Sequence, residues 1–425
     1  MKNNHSNART VLIIGAGAAG LMAGIRAAEK DPNRQVLIAE RMERPGRKLL
    51  ITGKGRCNVT NCCTIEEFMP NVLTNPRFLY SSLNALSPYE VMGFFEECGV
   101  PLKVERGERV FPVSDHSSDI VNALVQKAKD SGCRFLYNCR IKELLLEQTD
   151  DGQTVRGALT EGGEKILADA VIVATGGKSY PATGSTGDGY QLARQAGHRV
   201  TPLRSSLIPL VCKEKYCRDM MGLSLKNVTL RVVDTQSGKE VFSELGEMLF
   251  THFGVSGPLV LSASCHMQPD RNGSLERYRL YIDWKPALST QQLDARILRD
   301  FEQFINKDFI NSLGQLLPRK AIQPVAKLSG IPFETKINQI TREQRLGLVE
   351  LIKAMPITPV AFRPIEEAIV TAGGVDVAQI NPKTMESKLV SGLYFAGELL
   401  DVDGYTGGFN LQIAFSTGYA AGQAV

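Results

Sequence analysis

No apolar run in this 425-residue sequence approaches the 18 or more residues of a membrane-crossing helix. The first nine residues are polar and lack the apolar centre of a secretion signal, so a cytoplasmic protein is expected. Cysteine occurs nine times, an odd count without a paired spacing pattern, which fits reduced thiols rather than a disulfide framework. Asp401 and Asp403 have no His or Cys beside them, so a turn or helix-terminus role is expected there and no metal. The net charge of +4 is too small to argue for nucleic acid by itself. Between Lys285 and Arg345, however, ten Lys and Arg face six Asp and Glu, an excess equal to the whole net charge. A solvated helical surface is the expected reading, with a polyanion-binding patch as the alternative. No internal repeat or low-complexity segment stands out.

What is present begins at the strand-like run 11–14, which leads into Gly15-Ala16-Gly17-Ala18-Ala19-Gly20 and an Ala-rich stretch to Glu29. A second apolar run, 36–39, ends in Glu40. In such a turn Gly15 permits the tight bend, Gly17 lets backbone amides approach a diphosphate, and Gly20 allows close packing of helix on sheet. The helix N-terminus offers free N–H groups to the phosphates, and Glu40 is placed to accept from ribose hydroxyls. A third strand-like run, 393–396, precedes Gly397-Glu398 near the C-terminus. A dinucleotide site built from both ends of one chain points to a Rossmann-type α/β flavoprotein that holds FAD.

At this length two or three domains are expected. Apolar spacing predicts a helix over 114–131, with Ser114 as N-cap and Gly132 as stop. Strands are expected over 134–138, 141–148, 155–160 and 166–173, with turns at 150–152 and 161–163. The last runs into Ala174-Thr175-Gly176-Gly177, and Gly187-Asp188-Gly189 then opens a helix ending near Gly197. From 202 to 286 the texture is short and β-like, including 228–233 and 278–283. From 288 to 353 it is helical, punctuated by Pro318, Pro324 and Pro332. The expected organisation is a discontinuous FAD domain (1–200 and 365–425). Inserted in it are a β-rich domain (201–287 plus about 354–364) and a small helical one (288–353).

Four segments carry a resemblance. Residues 46–61 read Gly-Arg-Lys-Leu-Leu-Ile-Thr-Gly-Lys-Gly-Arg-Cys-Asn-Val-Thr-Asn, and 250–258 read Phe-Thr-His-Phe-Gly-Val-Ser-Gly-Pro. Residues 370–375 read Val-Thr-Ala-Gly-Gly-Val, with Thr-Met-Glu-Ser-Lys at 384–388, and the fourth is 397–412. Over nearly its whole length the chain resembles the BaiN-like family of bacterial FAD-dependent oxidoreductases. The turn 174–177 with 187–189 is also similar to the fumarate-reductase-type FAD superfamily. The resemblance implies hydride transfer from flavin N5 to a carbonyl-conjugated C=C, as in reduction of 3-oxo bile acids. NAD(P)H or another donor would reload the flavin. Dihydrouridine synthesis on ribosomal RNA and an aminoacetone-oxidase-like activity are the alternatives the family leaves open.

By the same resemblance, Gly15, Gly17, Ala18, Ala19, Gly20, Glu40 and Arg41 are expected around the ADP half of FAD. Arg47, Lys48, Leu49, Thr52, Gly53, Arg56, Cys57 and Asn58 belong to the basic loop, from which Arg47 and Lys48 would reach diphosphate or ribitol. Ala174, Thr175 and Gly176 are expected on the adenosine side. Gly397 and Glu398 should meet ribitol and diphosphate, where many FAD folds use Asp in place of Glu398. Gly407, Gly408, Asn410 and Leu411 should open a helix aimed at the flavin pyrimidine. Two positions depart from relatives. Phe409 stands where Tyr is frequent, and Arg109-Val110-Phe111-Pro112 stands where proteobacterial relatives carry Leu-Phe-Cys.

Cys57 and Cys62 have the spacing of a flavin-linked redox pair. The gap from Glu40 is longer than in such enzymes and no second strand–glycine–helix unit is present, so ordinary thiols are expected. His252 or its neighbouring amides could bind the substrate oxygen and His252 could donate a proton, with Tyr405 as the fallback acid. Each has a bland alternative, a backbone-bonded histidine and a packed phenol. A small-molecule substrate is expected, ribosomal RNA is the alternative partner, and no membrane or metal is expected.

Overall fold

A computed structural model of the chain describes residues 9–150 and 152–425. Residues 1–8, and Asp151 in the turn expected at 150–152, lie outside the described residues. The described chain forms two compact units. One comprises the chain up to Ser206 together with Ala368–Val425, the other Leu207–Glu367.

The first unit is organised around a five-stranded parallel sheet. Its strands are β1 (Thr10–Ile14), β2 (Gln35–Ala39), β3 (Arg134–Leu136), β4 (Ala170–Val173) and β5 (Leu393–Phe395), in the order β5-β4-β1-β2-β3. Nearly every residue of β1, β2 and β4 is buried, whichever face it points to. Helices cover both faces of such a sheet, so its strands read as continuous apolar runs instead of alternating ones. Between β1 and β2 runs helix α1 (Ala18–Lys30), against which the last helix, α2 (Phe409–Ala424), packs. That packing is backbone-close. A Cβ on Gly418 or Gly422 would overlap the Ala19 or Ala23 carbonyl, so small residues at four-residue spacing let the two ends of the chain touch.

Two local expectations are corrected here. The helix expected from Ser114 runs Ser117–Asp130 and its N-cap is His116. The Ser114 hydroxyl instead accepts from the His116 amide (3.2 Å) and donates to Asp119 (2.6 Å), a turn that competes with capping. The strand expected over 166–173 is two strands. Lys165–Leu167 joins an antiparallel sheet with Gly152–Thr160 and Ile141–Thr149, whereas β4 joins the parallel sheet. Asp169 makes the corner, its carboxylate accepting from the Thr10 amide at 2.7 Å. The helix opened by Gly187 is Asp188–Gln195.

The second unit is a seven-stranded antiparallel sheet with helices. The sheet order is Met355–Ile357, Tyr278–Asp283, Ser224–Asp234, Lys239–Phe250, Gly254–Ser256, Leu210–Cys212, Pro359–Phe362. The helical segment expected as a domain of its own has no separate core. Leu293, Ile297, Phe301 and Leu348 from the helices are buried in one cluster with Leu230, Val232, Leu280 and Ile282 from the strands. Pro324 sits inside the helix Arg319–Leu328 without ending it. Among the described residues no helix is long and apolar enough to cross a membrane.

Candidate cofactor site

The glycine turn separates into residues the protein itself requires and one it does not. Gly15 has a left-handed φ of 105°, and a Cβ there would stand 2.6 Å from the Ala174 carbonyl oxygen. A Cβ on Gly20 would overlap the Gly15 carbonyl. At Gly17 the backbone is extended and a Cβ would meet nothing within 4 Å. The space over Gly17 is open to a ligand, and glycine is also a favoured N-cap residue. Gly17 is also the N-cap of α1, where no side chain caps the helix and no acid sits in the first turn. The first-turn amides, those of Ala18, Ala19 and Gly20, are donors of the kind that bind phosphate.

Glu40 ends β2 beside this turn, 9% exposed. Its carboxylate accepts from the Ala16 amide at 2.9 Å and the Met42 amide at 2.8 Å. Burial pushes its pKa up, and these two bonds work against the rise. One bond per oxygen leaves each with a further lone pair for a ribose hydroxyl. Arg41 donates to the Thr186 hydroxyl and to Asp188 (3.0 Å), which Arg140 also grips at 2.9 Å. Burial works against the Asp188 carboxylate, but these donors and charges outweigh it and hold its pKa low. Beyond β4, the buried Thr175 hydroxyl has no hydrogen-bond partner in the protein.

The basic loop is stitched to the glycine turn, since the Gly46 amide donates to the Ala16 carbonyl at 2.9 Å. Its short helix Arg47–Ile51 buries Leu49 and carries Lys48, whose ammonium donates to Ser179 Oγ (2.7 Å) and Glu398 Oε2 (2.6 Å). Arg47 has a 3.7 Å contact with the exposed Glu43. Thr52 Oγ1 donates to the Leu49 carbonyl at 2.7 Å, and Gly53 takes a left-handed φ of 57° in the turn that follows. Arg56, expected at the cofactor, is paired elsewhere. Its guanidinium binds Glu105 (2.5 Å) and Asp115 (2.6 Å) and lies 4.2 Å from the Phe111 ring centroid. Cys57 is fully buried, and burial pushes its thiol up to about 12. Cys62 is half-buried and all nine cysteines are free thiols. Asn58 acts as a brace: with its amide turned to the orientation that satisfies both ends, the nitrogen donates to the Thr60 (3.1 Å) and Val110 (3.2 Å) carbonyls and the oxygen accepts from the Gly408 amide (3.0 Å).

That last bond reaches the second helix N-terminus. Gly408 is the N-cap of α2, with φ 99° and no room for a Cβ, which would overlap the Thr60 backbone. Gly407 before it has φ 125°. No acidic residue lies in the first turn. Asn410 turns its amide back on the preceding loop, accepting from the Gly404 amide (2.9 Å) and donating to the Gly404 (2.7 Å) and Tyr405 (3.2 Å) carbonyls. Leu411 packs half-buried against the core, and Phe409 meets Phe68 edge-on at 5.0 Å. Tyr405 is half-buried, its amide donating to the Asn71 carbonyl at 2.9 Å. Gly397 has φ 74°, and its amide donates to Thr417 Oγ1 at 3.0 Å.

Ser179 was not singled out from the sequence, Thr371 entered only as part of the segment 370–375, and Asp403 was given a turn or helix-terminus role. Ser179 and Thr371 complete the shell of Glu398, and Ser179 has no motif that announces it. Asp403 is 3% exposed, accepts from Ser206 Oγ (2.7 Å) through one oxygen and has no partner for the other. Burial raises the pKa of Asp401, against a hydrogen bond from Thr201. Among the described residues, no three His, Cys, Asp or Glu side chains converge as a metal ion would need.

In the second unit, His252 is exposed on a tight turn in which the Thr251 amide donates to the Gly254 carbonyl at 2.8 Å. Its ring meets Phe253 edge-on at 5.0 Å. Of the basic excess along 285–345, Arg296, Lys336 and Arg345 are each paired with an aspartate.

The pattern for an HI0933-like protein Rossmann domain matches residues 9–424. The chain belongs to the HI0933-like family. It has the FAD-binding Rossmann fold of that family and is an FAD-dependent oxidoreductase. It is 32% identical over 418 residues to a 3-dehydro-bile acid delta(4,6)-reductase of Clostridium scindens, covering 97% of this chain and 98% of that one. It is 33% identical, over 97% of this chain and 98% of the other, to a ribosomal RNA dihydrouridine synthase of Haemophilus influenzae. Among solved structures, a 3-ketosteroid-delta4-(5alpha)-dehydrogenase from Rhodococcus jostii RHA1 shares the fold at a TM-score of 0.51. Identity there is 16%, over 99% of this chain and 98% of that one.

Proposed function

We propose that this HI0933-like protein reduces a carbon–carbon double bond conjugated to a carbonyl, with a 3-oxo steroid or bile acid as substrate class. The observation that carries the reading is the similarity to the bile-acid reductase over 97% of this chain together with the open space beside Gly17 at the start of α1. When bound, FAD would supply two-electron transfer to an electron-poor double bond, with NAD(P)H or another donor reloading it. The residues present fit that cofactor. The uncapped first turn of α1 suits a diphosphate and Glu40 suits a ribose, while Thr175 offers an unsatisfied hydroxyl.

The N-terminus of α2 favours negative charge, and an uncapped helix end of this kind is worth about 0.3–1 kcal/mol to a neighbouring anion. It would therefore stabilise the electron-rich form of a ring placed there. Substrate reduction also needs a donor for the carbonyl oxygen and a proton for the adjacent carbon. His252, exposed on its turn, is the proposed donor, and Tyr405 is the second candidate.

A second reading, dihydrouridine synthesis on ribosomal RNA, has the similarity to the Haemophilus enzyme in its favour. The partners of Arg296, Lys336 and Arg345 are Asp300, Asp308 and Asp294 of the same segment, so these pairs leave its basic excess as the sequence count has it. One experiment separates the readings. The purified protein is reduced anaerobically and mixed with a 3-oxo-4,6-diene bile acid, a ribosomal RNA transcript, or oxygenated buffer, while the flavin colour is followed. Fast reoxidation by the bile acid alone supports the proposal. Reoxidation by the transcript with dihydrouridine formation replaces it with the second reading, and fast peroxide release points to an oxidase. In the first case His252→Ala should slow reoxidation with FAD retained. An effect of Tyr405→Phe alone moves the role to Tyr405.

A further inference from the structure

Glu398 follows the last strand of the parallel sheet at a position where an acid is expected to bind the cofactor directly. Its hydrogen bonds leave little capacity for that. Oε1 accepts from the Thr371 amide at 2.9 Å and from Ser179 Oγ at 3.1 Å, and Oε2 accepts from Lys48 Nζ at 2.6 Å. A carboxylate offers about four acceptor sites, so Oε1 is saturated within the protein and Oε2 keeps one. The surroundings are built for this arrangement. A Cβ on Gly177 would stand 2.7 Å from Oε1 and 2.5 Å from Thr371 Oγ1, so only glycine lets that strand end lie against the pair. The Lys178 amide in turn donates to Thr371 Oγ1 at 2.8 Å.

Lys48 is in the opposite condition. Of its three N–H donors, Ser179 and Glu398 take two, at 2.7 and 2.6 Å. It is anchored at both ends, because the helix that bears it follows the Gly46 amide bonded to the glycine turn. Its side chain is 25% exposed and that of Glu398 18%, so the pair is screened only in part from its surroundings. Held in this way, Lys48 presents one remaining donor and a fixed positive charge on the loop that adjoins Gly17.

We propose that Lys48 is the residue of this pair that contacts the cofactor diphosphate, and that Glu398 is a positioning residue acting through Lys48. The proposal rests on the FAD reading above and adds a division of labour to it. The length of Glu398 is part of the device. It must reach the Thr371 amide and the Lys48 ammonium together, and an aspartate is one methylene too short to do both.

FAD affinity measured by flavin fluorescence on apoprotein tests this with four variants, Lys48→Met, Glu398→Gln, Glu398→Asp and the Lys48→Met/Glu398→Gln double. Circular dichroism of each apoprotein checks that the fold is intact. Lys48→Met is expected to weaken FAD binding at least tenfold and to flatten its dependence on salt. Glu398→Gln and Glu398→Asp are each expected to weaken it several-fold while Lys48 is present. In the Lys48→Met background, Glu398→Gln should have no further effect. An equal loss from Glu398→Gln in both backgrounds makes Glu398 a direct ligand and overturns the proposal. So does unchanged affinity and salt dependence in Lys48→Met. Wild-type apoprotein that takes up no FAD overturns the cofactor reading itself, a result distinct from either.

Discussion

Two helices of the first unit, α1 and α2, start at glycine N-caps that face opposite surroundings. At Gly408 a Cβ would overlap the Thr60 backbone, so packing of the chain against itself forbids any side chain. At Gly17 a Cβ would meet nothing within 4 Å, so the packing of the chain leaves the space over it open. Gly408 serves the fold that aims α2, whereas Gly17 leaves the space at the start of α1 open. A glycine-rich motif is therefore two kinds of statement written in one letter, and space in the folded protein tells them apart.

The comparison breaks most visibly at Gly408. Gly408→Ala combines a left-handed backbone, costing about 1–2 kcal/mol, with overpacking of about 1–3 kcal/mol. Thermal unfolding of the apoprotein should shift down by an amount matching several kcal/mol. An unshifted melting curve would show that the Thr60 segment yields easily and that the two N-caps are alike.

A smaller loss of stability is expected from acid and guards against mistaking a general weakening of this unit for a local one. His198 is 3% exposed, lies 2.7 Å from Ser387 Oγ and meets Phe395 edge-on at 4.8 Å. Burial pushes its pKa down to about 4. Above pH 6.5 the ring is neutral folded or unfolded. As pH falls from 6.5 to about 4, the unfolded chain gains a proton that the folded one refuses, and stability drops by at most roughly 3 kcal/mol. Denaturant unfolding across this range should show the loss, and His198→Gln should flatten it. A profile unchanged by that substitution assigns the loss to other groups.

Gly17→Ala is expected to cost the apoprotein at most about 1 kcal/mol, as for a poorer N-cap without strain. FAD affinity should nonetheless fall at least tenfold, about 1.4 kcal/mol. The contrast with Gly408→Ala is the sharpest form of the comparison, stability lost in one and ligand lost in the other. A Gly17→Ala protein that binds FAD normally leaves that glycine unexplained.

The smallest effect is expected at Cys62→Ser. Its partner in the CxxxxC spacing, Cys57, is buried with its thiol held near 12, so too little thiolate forms for a relay to the flavin. Rapid mixing with reductant should show no thiolate–flavin charge-transfer band in either protein. A band present in the wild type and lost in the variant would restore the redox pair.

Much of the cofactor site was legible because its signals are local. Buried parallel strands leave unbroken apolar runs at 11–14 and 36–39, and the acid closing the second run falls beside the glycine turn. Asn58 and Asn410 were expected at the cofactor, and in the folded chain both spend their amides on backbone, bracing Gly408 and Gly404. Arg56 was expected at the cofactor because it is a cation in a basic loop, and Glu105 and Asp115 claim it. The helical stretch 288–353 was read as a domain because its periodicity differs from its neighbours. Periodicity reports the element and not what it packs on, and its apolar faces share a core with the sheet.

What the sequence determined by itself is therefore the kind of site. Three glycines at fixed spacing, a terminal acid and uncapped helix starts are chemical requirements of a dinucleotide, each met within a few residues of chain. What only the tertiary structure decided is who partners whom. Lys48 and Glu398 are 350 residues apart, and Asn58 reaches Gly408 across a comparable span. A donor's identity is written in its residue, but its acceptor depends on the path of the whole chain. A buried charge takes whichever partner that path brings within hydrogen-bonding distance.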